Sequence, residues 1–391
     1  AKGEVDLHDL HRPWVDKVIL KCDKCSGDMK RVPDVLDVWF DSGIAFYASL
    51  GYPLRKDKFE ELWPVDFIME GHDQIAGWFF SLLRTGFLGF NRVPYNTVLM
   101  HGFALDEKGR EMHKSLGNYI THQEVLARRR GGRDVLRWYL LRNTVWEDLR
   151  FSWRSLEQVF DDLNIVWNVY LFASTYMNLD KFNPSRYKLE DYIHLLRPED
   201  KWLISRVEEL TEKVTDALEN YLVHIAARML RDFIVEDVSH WYIRLIRRRV
   251  WIEKEDPEKI TAYVTLYYVL KKFLVLAAPI IPFIVEKIYQ EVFRISPEMP
   301  ESVHMLPWPE VRKDLVDEEL EKYMEIAREV VEKGSAARMV AGVKIRHPLP
   351  ALYVLTGDKH TEIACRRLME VIKSQVNVKR VEILPPEEKK K

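Results

Sequence analysis

"PVDFIMEGHDQIAGWFFSLLRTGFLGFNRVPYNTVLMHGFAL", residues 64–105, sets an apolar run, an amphipathic run and a second apolar run in succession. "PVDFIME" and "NTVLMHGFAL" have the composition of buried strands, and "DQIAGWFFSLLRTGF" between them has the length and spacing of a helix. Strand, helix, strand predicts a parallel β-α-β unit, because parallel strands need a long crossover connection. Next comes "GREMHKSLGN", residues 109–118, which puts Arg110, His113 and Lys114 beside Ser115 between two glycines. Ligands of open α/β sheets bind outside the carboxyl ends of the strands, where this loop is expected. Backbone N–H groups and a lysine at such a place suit phosphate, although an ordinary solvated loop uses the same residue types.

The 391 residues are 47% hydrophobic and 31% charged, which fits a folded chain of two or three domains. Basic and acidic side chains nearly cancel, at 59 against 61, so a polyanion site must come from local clusters. Two exist: "RRRGGR" at 128–133 and "RLIRRR" at 244–249. Three cysteines and no signal-like N-terminus argue for a reducing, cytoplasmic setting. The run "FLVLAAPIIPFIV" at 273–285 is short for a bilayer and reads as a buried helix broken by prolines, with no membrane role. Near the start, "KVILKC" and "VLDVWF" read as short strands. Past residue 145, four helical patterns follow, one holding Leu222, Ile225, Ala226, Met229, Leu230, Phe233 and Ile234 at three/four spacing. The last stretch returns to strand-like "ALYVLTG" and "VKRVEIL" around a helix. The expected organisation is α/β over 1–145, an all-α bundle over 146–300 and a small α+β region over 301–391.

Four stretches carry a family resemblance: "DVWFDSG" (37–43), "EGHDQIAGWFFSLL" (70–83), "HGFALDEKGREMHKSLGN" (101–118) and "RWYLLRN" (137–143). They follow one another as in class I aminoacyl-tRNA synthetases. "DVWFDSG" and "DQ..GWF" look like the isoleucine-specific members, with the valine-specific ones as the nearer rival. "RDFIVEDVSHWYIRLIRRRVW" and "APIIPFIVEKIY" resemble the anticodon-binding helical domain, and "AGVKIRHPLP" resembles the start of the C-terminal region. The resemblance implies the distal half of a Rossmann-type nucleotide-binding domain, an anticodon-binding bundle and a C-terminal α+β junction. It further implies ATP- and Mg2+-dependent attachment of isoleucine to tRNA(Ile) through an isoleucyl-adenylate. A non-catalytic tRNA-binding module is the alternative from another class.

Site residues follow from the same resemblance. "Glu111-Met112-His113-Lys114-Ser115" occupies the place of the family's Lys-Met-Ser-Lys-Ser loop. Lys114, with His113 and Ser115, is implied in catalysis by contact with the triphosphate. Glu70, Asp73, Gln74, His101 and Gly102 are implied in binding ATP or the adenylate, although Asp73 suits a helix N-cap equally well. Trp39 and Trp78 are implied as walls of the isoleucine pocket, and Arg244, Arg247 and Arg248 as tRNA contacts. Cys22 and Cys25 in "KCDKC" offer two of the four ligands of a zinc site.

The departures from the family pattern also carry expectations. Glu111 stands where the family has its first lysine and is expected to point away from pyrophosphate, with Arg110 as a substitute. The His-x-Gly-His signature is missing, since "HDLH" at 8–11 and "HG" at 101–102 do not fit it. With "AKGEVD" opening the chain, the resemblance implies a C-terminal portion. The first half of the catalytic domain and the editing domain would then lie upstream, and this portion alone would not aminoacylate.

Overall fold

The two apolar runs of residues 64–105 pair as parallel strands, Val65–Gly71 beside Tyr95–His101, in register from Val65↔Tyr95 to Gly71↔His101. This computed structural model describes residues 9, 11–34, 37–251 and 256–388. His8, Val35, Leu36 and the end of the expected frayed tail lie outside them. The chain divides into two compact units, Ala1–Gly102 and Phe103–Lys391.

In the first unit the connecting helix, Trp78–Phe90, starts later than its sequence pattern suggests, after a 3-10 turn over His72–Ile75. "VLDVWF" is not a strand where it is described. Asp37 accepts a hydrogen bond from the Trp39 backbone N–H at 2.9 Å and caps the helix Val38–Gly43, so capping outweighs strand propensity. That helix packs on Trp78–Phe90, with Trp78 Nε1 donating to the Ser42 carbonyl at 3.0 Å. The core is Phe46, Phe59, Ile68, Phe79 and Leu82, extended by Tyr52, Trp63 and Phe90. The rings of Phe59, Trp63 and Tyr52 lie 4.8–5.3 Å from that of Phe90. Near the chain start, Ile19–Lys21 and Asp28–Lys30 form an antiparallel hairpin.

The second apolar run splits at Gly102. Ala104–Leu105 leaves the first sheet and pairs in parallel with Leu149–Arg150, because Asp148 accepts from the Phe103 N–H at 2.7 Å and the Phe103 carbonyl accepts from Leu149 N–H at 2.8 Å. The 109–118 loop therefore follows this two-residue strand and not the longer one.

The second unit is a helix bundle built on Trp153–Leu179, Pro198–Glu219, a helical run from Val223 to Val250 and Pro257–Ala277. Ser152 and Asp256 cap their helices, and Pro198 and Pro257 sit at first positions where a missing N–H costs nothing. Of the predicted third stripe, Ala226, Leu230, Phe233 and Ile234 are buried, but Ile225 is exposed. It lies about 200° around the helix from buried Ala227. By length and composition Pro257–Ala277 would span a membrane, yet 72% of its apolar window is buried inside the protein, so it reads as a core helix.

The proline break falls between Ala277 and Pro282, as expected. Residues of "RWYLLRN" and the turn before it stitch that break. Arg137 donates to the Pro279 carbonyl at 2.8 Å and the Ile280 carbonyl at 3.2 Å, while Asp134 accepts from Phe283 and Ile284 N–H. Trp138, fully buried, donates to the Ala227 carbonyl at 3.0 Å. These contacts tie residues 133–143 into the bundle core. Farther on, the helix Glu318–Val340 joins a parallel pair, Leu349–Leu355 and Val378–Leu384, connected through Lys359–Arg367 and Met369–Val376.

Candidate functional site

In the first unit Glu70 and His101 end adjacent parallel strands, and Glu70 Oε2 lies 3.7 Å from His101 Nε2. His101 Nδ1 is 2.8 Å from the Gly102 carbonyl. A carbonyl only accepts, so that contact uses Nδ1 as the donor, and Nε2 is the ring atom on the side of Glu70. Asp73 folds back over the strand end. A Cβ at Gly71 would meet its Oδ1 at 2.5 Å, so a side chain there would push the Asp73 carboxylate aside. The two roles left open for Asp73 separate here, because Gln74 takes the capping one. Gln74 Oε1 accepts from Trp78 N–H at 3.0 Å and its Nε2 donates to Asp73 at 3.0 Å. The Trp39 ring lies against Gly77, 3.2 Å from where a Cβ would be, next to Trp78. Glu70, Asp73 and His101 thus cluster at the strand ends, and Trp39 and Trp78 both lie at the start of the helix. Trp39 is 43% exposed, which leaves its ring available to a ligand.

In the second unit the 109–118 loop is organised by a residue that sequence reasoning passed over. Buried Asp106 accepts from the N–H groups of Lys108 and Arg110, both at 2.9 Å, from the Arg110 guanidinium at 2.8 Å and from Asn118 Nδ2 at 2.9 Å. The Asn118 amide, then the other donors, hold its carboxyl far below the usual range, so it stays ionised at neutral and mildly acidic pH. A clue existed in "DEKG", whose Asp and Gly suit the first and last positions of a tight turn. Arg110 is therefore engaged, and its expected role as a stand-in lysine loses support. Glu111 and His113, the two departures from the family pattern, face each other at 3.3 Å. Lys114 and Ser115 are exposed. The Lys114 ammonium lies 5.9 Å from the Tyr119 ring, and among the described residues no carboxylate is within ion-pair distance of it. Gly117, at φ +64°, ends the turn Lys114–Leu116 in a conformation that favours glycine.

The basic run at 244–249 divides by face. Arg244, Arg247 and Arg248 are exposed, and Arg247 lies 5.7 Å from the exposed Trp251 ring. Arg249 turns inward and binds Asp200 through two bonds of 2.8 Å. In "RRRGGR", Arg128 stacks at 3.4 Å on Trp153 and Arg130 pairs with Glu157 and Asp161, so much of that cluster is satisfied internally. Cys22 and Cys25 occupy the hairpin turn. Backbone N–H groups of Cys25 and Lys24 point at the Cys22 sulfur and lower its thiol below the usual range, toward the thiolate that metals bind. Among the described residues no third His, Cys, Asp or Glu joins them. The pair fits half of a tetrahedral zinc shell.

Residues 2–152 match the family model for class I tRNA synthetases of the I, L, M and V group, and residues 200–353 match that for the anticodon-binding domain of tRNA ligase. The chain is 51% identical over 376 residues to an isoleucine–tRNA ligase of Saccharolobus islandicus, covering 96% of this chain and 35% of that protein. It is 50% identical to that of Saccharolobus solfataricus, covering 96% of this chain and 38% of the relative. It thus spans little more than a third of their length. Among solved structures, the LeuRS of Agrobacterium radiobacter in a ternary complex with tRNA aligns over 78% of this chain and 37% of its own, with a TM-score of 0.57. At 20% identity that likeness shows the fold alone.

Proposed function

The chain belongs to the class I aminoacyl-tRNA synthetases, and from that premise we propose that the protein carrying it is an isoleucine–tRNA ligase. What supports this most is identity at about half of all positions to ligases of that specificity. In the proposed reaction the isoleucine carboxylate attacks the α-phosphorus of ATP, and pyrophosphate leaves. A tRNA hydroxyl then attacks the adenylate's carbonyl carbon, the bond to phosphate breaks, and AMP leaves as the hydroxyl gives up its proton. Such chemistry needs alignment and charge stabilisation more than covalent help. Lys114 would neutralise charge on the departing pyrophosphate. Glu70, with Asp73 and His101 beside it, would accept hydrogen bonds from a ribose hydroxyl or the amino acid's ammonium. Trp39 and Trp78 would bound the isoleucine side chain. Magnesium, held in such sites mainly by phosphate and water, would share the charge neutralisation. Zinc, if held by Cys22 and Cys25, would brace the hairpin. A reducing cytoplasm would keep the three cysteines as thiols.

Isoleucine-dependent ATP–pyrophosphate exchange by the full-length protein tests the reading. Exchange driven by valine alone would favour the valine-specific rival. The anticodon-domain match and the exposed arginine face favour, as a second reading, tRNA binding without catalysis. Tight tRNA binding with no exchange would select it.

Two further outcomes are expected. Alanine at Arg244, Arg247 or Arg248 should weaken tRNA binding. The slope of log affinity against log salt should fall by about 1 for each phosphate that no longer meets an arginine. Binding titrations at several salt concentrations read this directly. Cys22→Ser should reduce the zinc retained after dialysis against a mild chelator, since one of two thiolate ligands is removed. Elemental analysis of the full-length protein checks it, and unchanged zinc would exclude Cys22 as a ligand.

A further inference from the structure

Lys114 is a long flexible side chain on an exposed tip, so the position of its ammonium depends on how well the loop backbone is fixed. The tip gains little from packing. Apart from the glycine and its chain neighbours, no atom lies within 4 Å of where a Cβ at Gly109 or Gly117 would sit. The fixation comes from polar bonds at the base of the loop. Asp106 Oδ1 holds the backbone N–H groups of Lys108 and Arg110, and its Oδ2 accepts from Asn118 Nδ2 at 2.9 Å. Asn118 Nδ2 also donates to the Glu111 carbonyl at 2.9 Å, and Asn118 Oδ1 accepts from His113 N–H at 3.0 Å. The chain entering Met112–Gly117 and the chain leaving it are therefore tied to one point. Asp106 is ionised there, and bonds to an ionised acceptor are stronger than neutral ones.

We propose that Asp106 and Asn118 are positioning residues for amino-acid activation, holding the loop base so that the Lys114 ammonium meets the departing pyrophosphate. The proposal rests on the ligase reading given above. Neither residue touches substrate; both act through Lys114. The engagement of Arg110 with Asp106 belongs to the same device, because it spends that cation on the loop base and leaves Lys114 as the cation presented by the tip.

The test is single-turnover adenylate formation by the full-length protein, for Asn118→Ala, Lys114→Ala and the two combined. Isoleucine-dependent exchange by the unaltered protein is measured first, and its absence would remove the ligase reading independently of the loop. Given that activity, Asn118→Ala should slow adenylate formation by up to about 100-fold, the scale of a small misplacement of a reacting group, with KM for isoleucine unchanged. With Lys114 already alanine, the same substitution should cost less than about 2-fold, because coupled residues are not additive. Equal slowing in both backgrounds, or no slowing in either, overturns the proposal. A second pair guards against simple unfolding. Asn118→Asp sets two carboxylates against each other and should also slow the step. Adding Asp106→Asn gives the new carboxylate an amide donor and should restore part of the rate, because the bond to the Glu111 carbonyl and the Arg110–Asp106 pair are not rebuilt. Failure to recover, in a protein whose unfolding temperature matches the unaltered one, also overturns the proposal.

Discussion

Replacing Lys114 with alanine is expected to slow isoleucyl-adenylate formation by roughly 10²–10³-fold, the scale of losing one positioned transition-state donor. Isoleucine affinity should hold, since the proposed pocket is formed by Trp39 and Trp78. The size of the effect follows from what surrounds the loop. Arg110 is bound to Asp106 at 2.8 Å and is not free to take over. Glu111 faces His113 at 3.3 Å, so its carboxylate already has a partner within the loop. Glu111→Lys replaces that loop anion with a second cation and should raise the activation rate. Arg110→Ala should cost less than Lys114→Ala, because it removes one tie to Asp106 and leaves those from Lys108, Asn118 and the residue-110 backbone. Single-turnover rates for the three variants check this. A loss from Arg110→Ala as large as that from Lys114→Ala would mean that Arg110 leaves Asp106 to bind phosphate.

Arg249→Ala is expected to destabilise the helical unit by about 3–5 kcal/mol, the usual cost of stripping the partner from a buried charge. Asp200 is fully buried and Arg249 is 5% exposed. Besides its two bonds to Asp200, the guanidinium contacts Glu199 at 3.2 Å, the Glu258 carbonyl at 2.6 Å and Thr261 Oγ1 at 2.7 Å. Without it, Asp200 keeps the Tyr242 hydroxyl at 2.6 Å but loses its counterion. Burial, and then the neighbouring Asp200, already raise the Glu199 carboxyl. A carboxyl raised in the fold favours folding while protonated and loses that contribution as pH rises through its folded value. The penalty of Arg249→Ala should therefore be larger at neutral pH than near the ordinary glutamate value of 4.5. Denaturant unfolding at the two pH values measures it. Arg248→Ala, on the exposed face, should change stability by no more than about 0.5 kcal/mol.

The contrast between those two arginines shows what the sequence made legible. Helical spacing places Arg249 three residues after buried Ile246 and seven after buried Tyr242, so its inward turn was readable from periodicity. Its partner, Asp200, belongs to another helix, and nothing local points to it. The parallel pair at 65–71 and 95–101 was legible because each strand is a bounded apolar run with a helix between. The split at Gly102 was not, because a distant residue, Asp148, captures the Phe103 N–H. "VLDVWF" misled because β-branched and aromatic residues suggest a strand, while the cap bond from Asp37 is what decides. In the candidate site, Lys114, Glu70 and the tryptophans were named through motif resemblance. Asp106 and Asn118 were passed over because they act by tying the two ends of the loop together, through each other and through backbone groups, and their spacing of twelve residues gives no local pattern beyond the turn residues of "DEKG".

Isoleucine-dependent ATP–pyrophosphate exchange by the full-length protein, measured side by side with valine, tests the ligase assignment most directly. The predicted result is exchange with both amino acids, with isoleucine favoured by about 10–200-fold in kcat/KM, the worth of one methylene in an apolar pocket and a range drawn partly from isoleucine ligases themselves. Lys114→Ala should reduce both rates together. Exchange that prefers valine, or that is absent while tRNA binds tightly, would contradict the assignment.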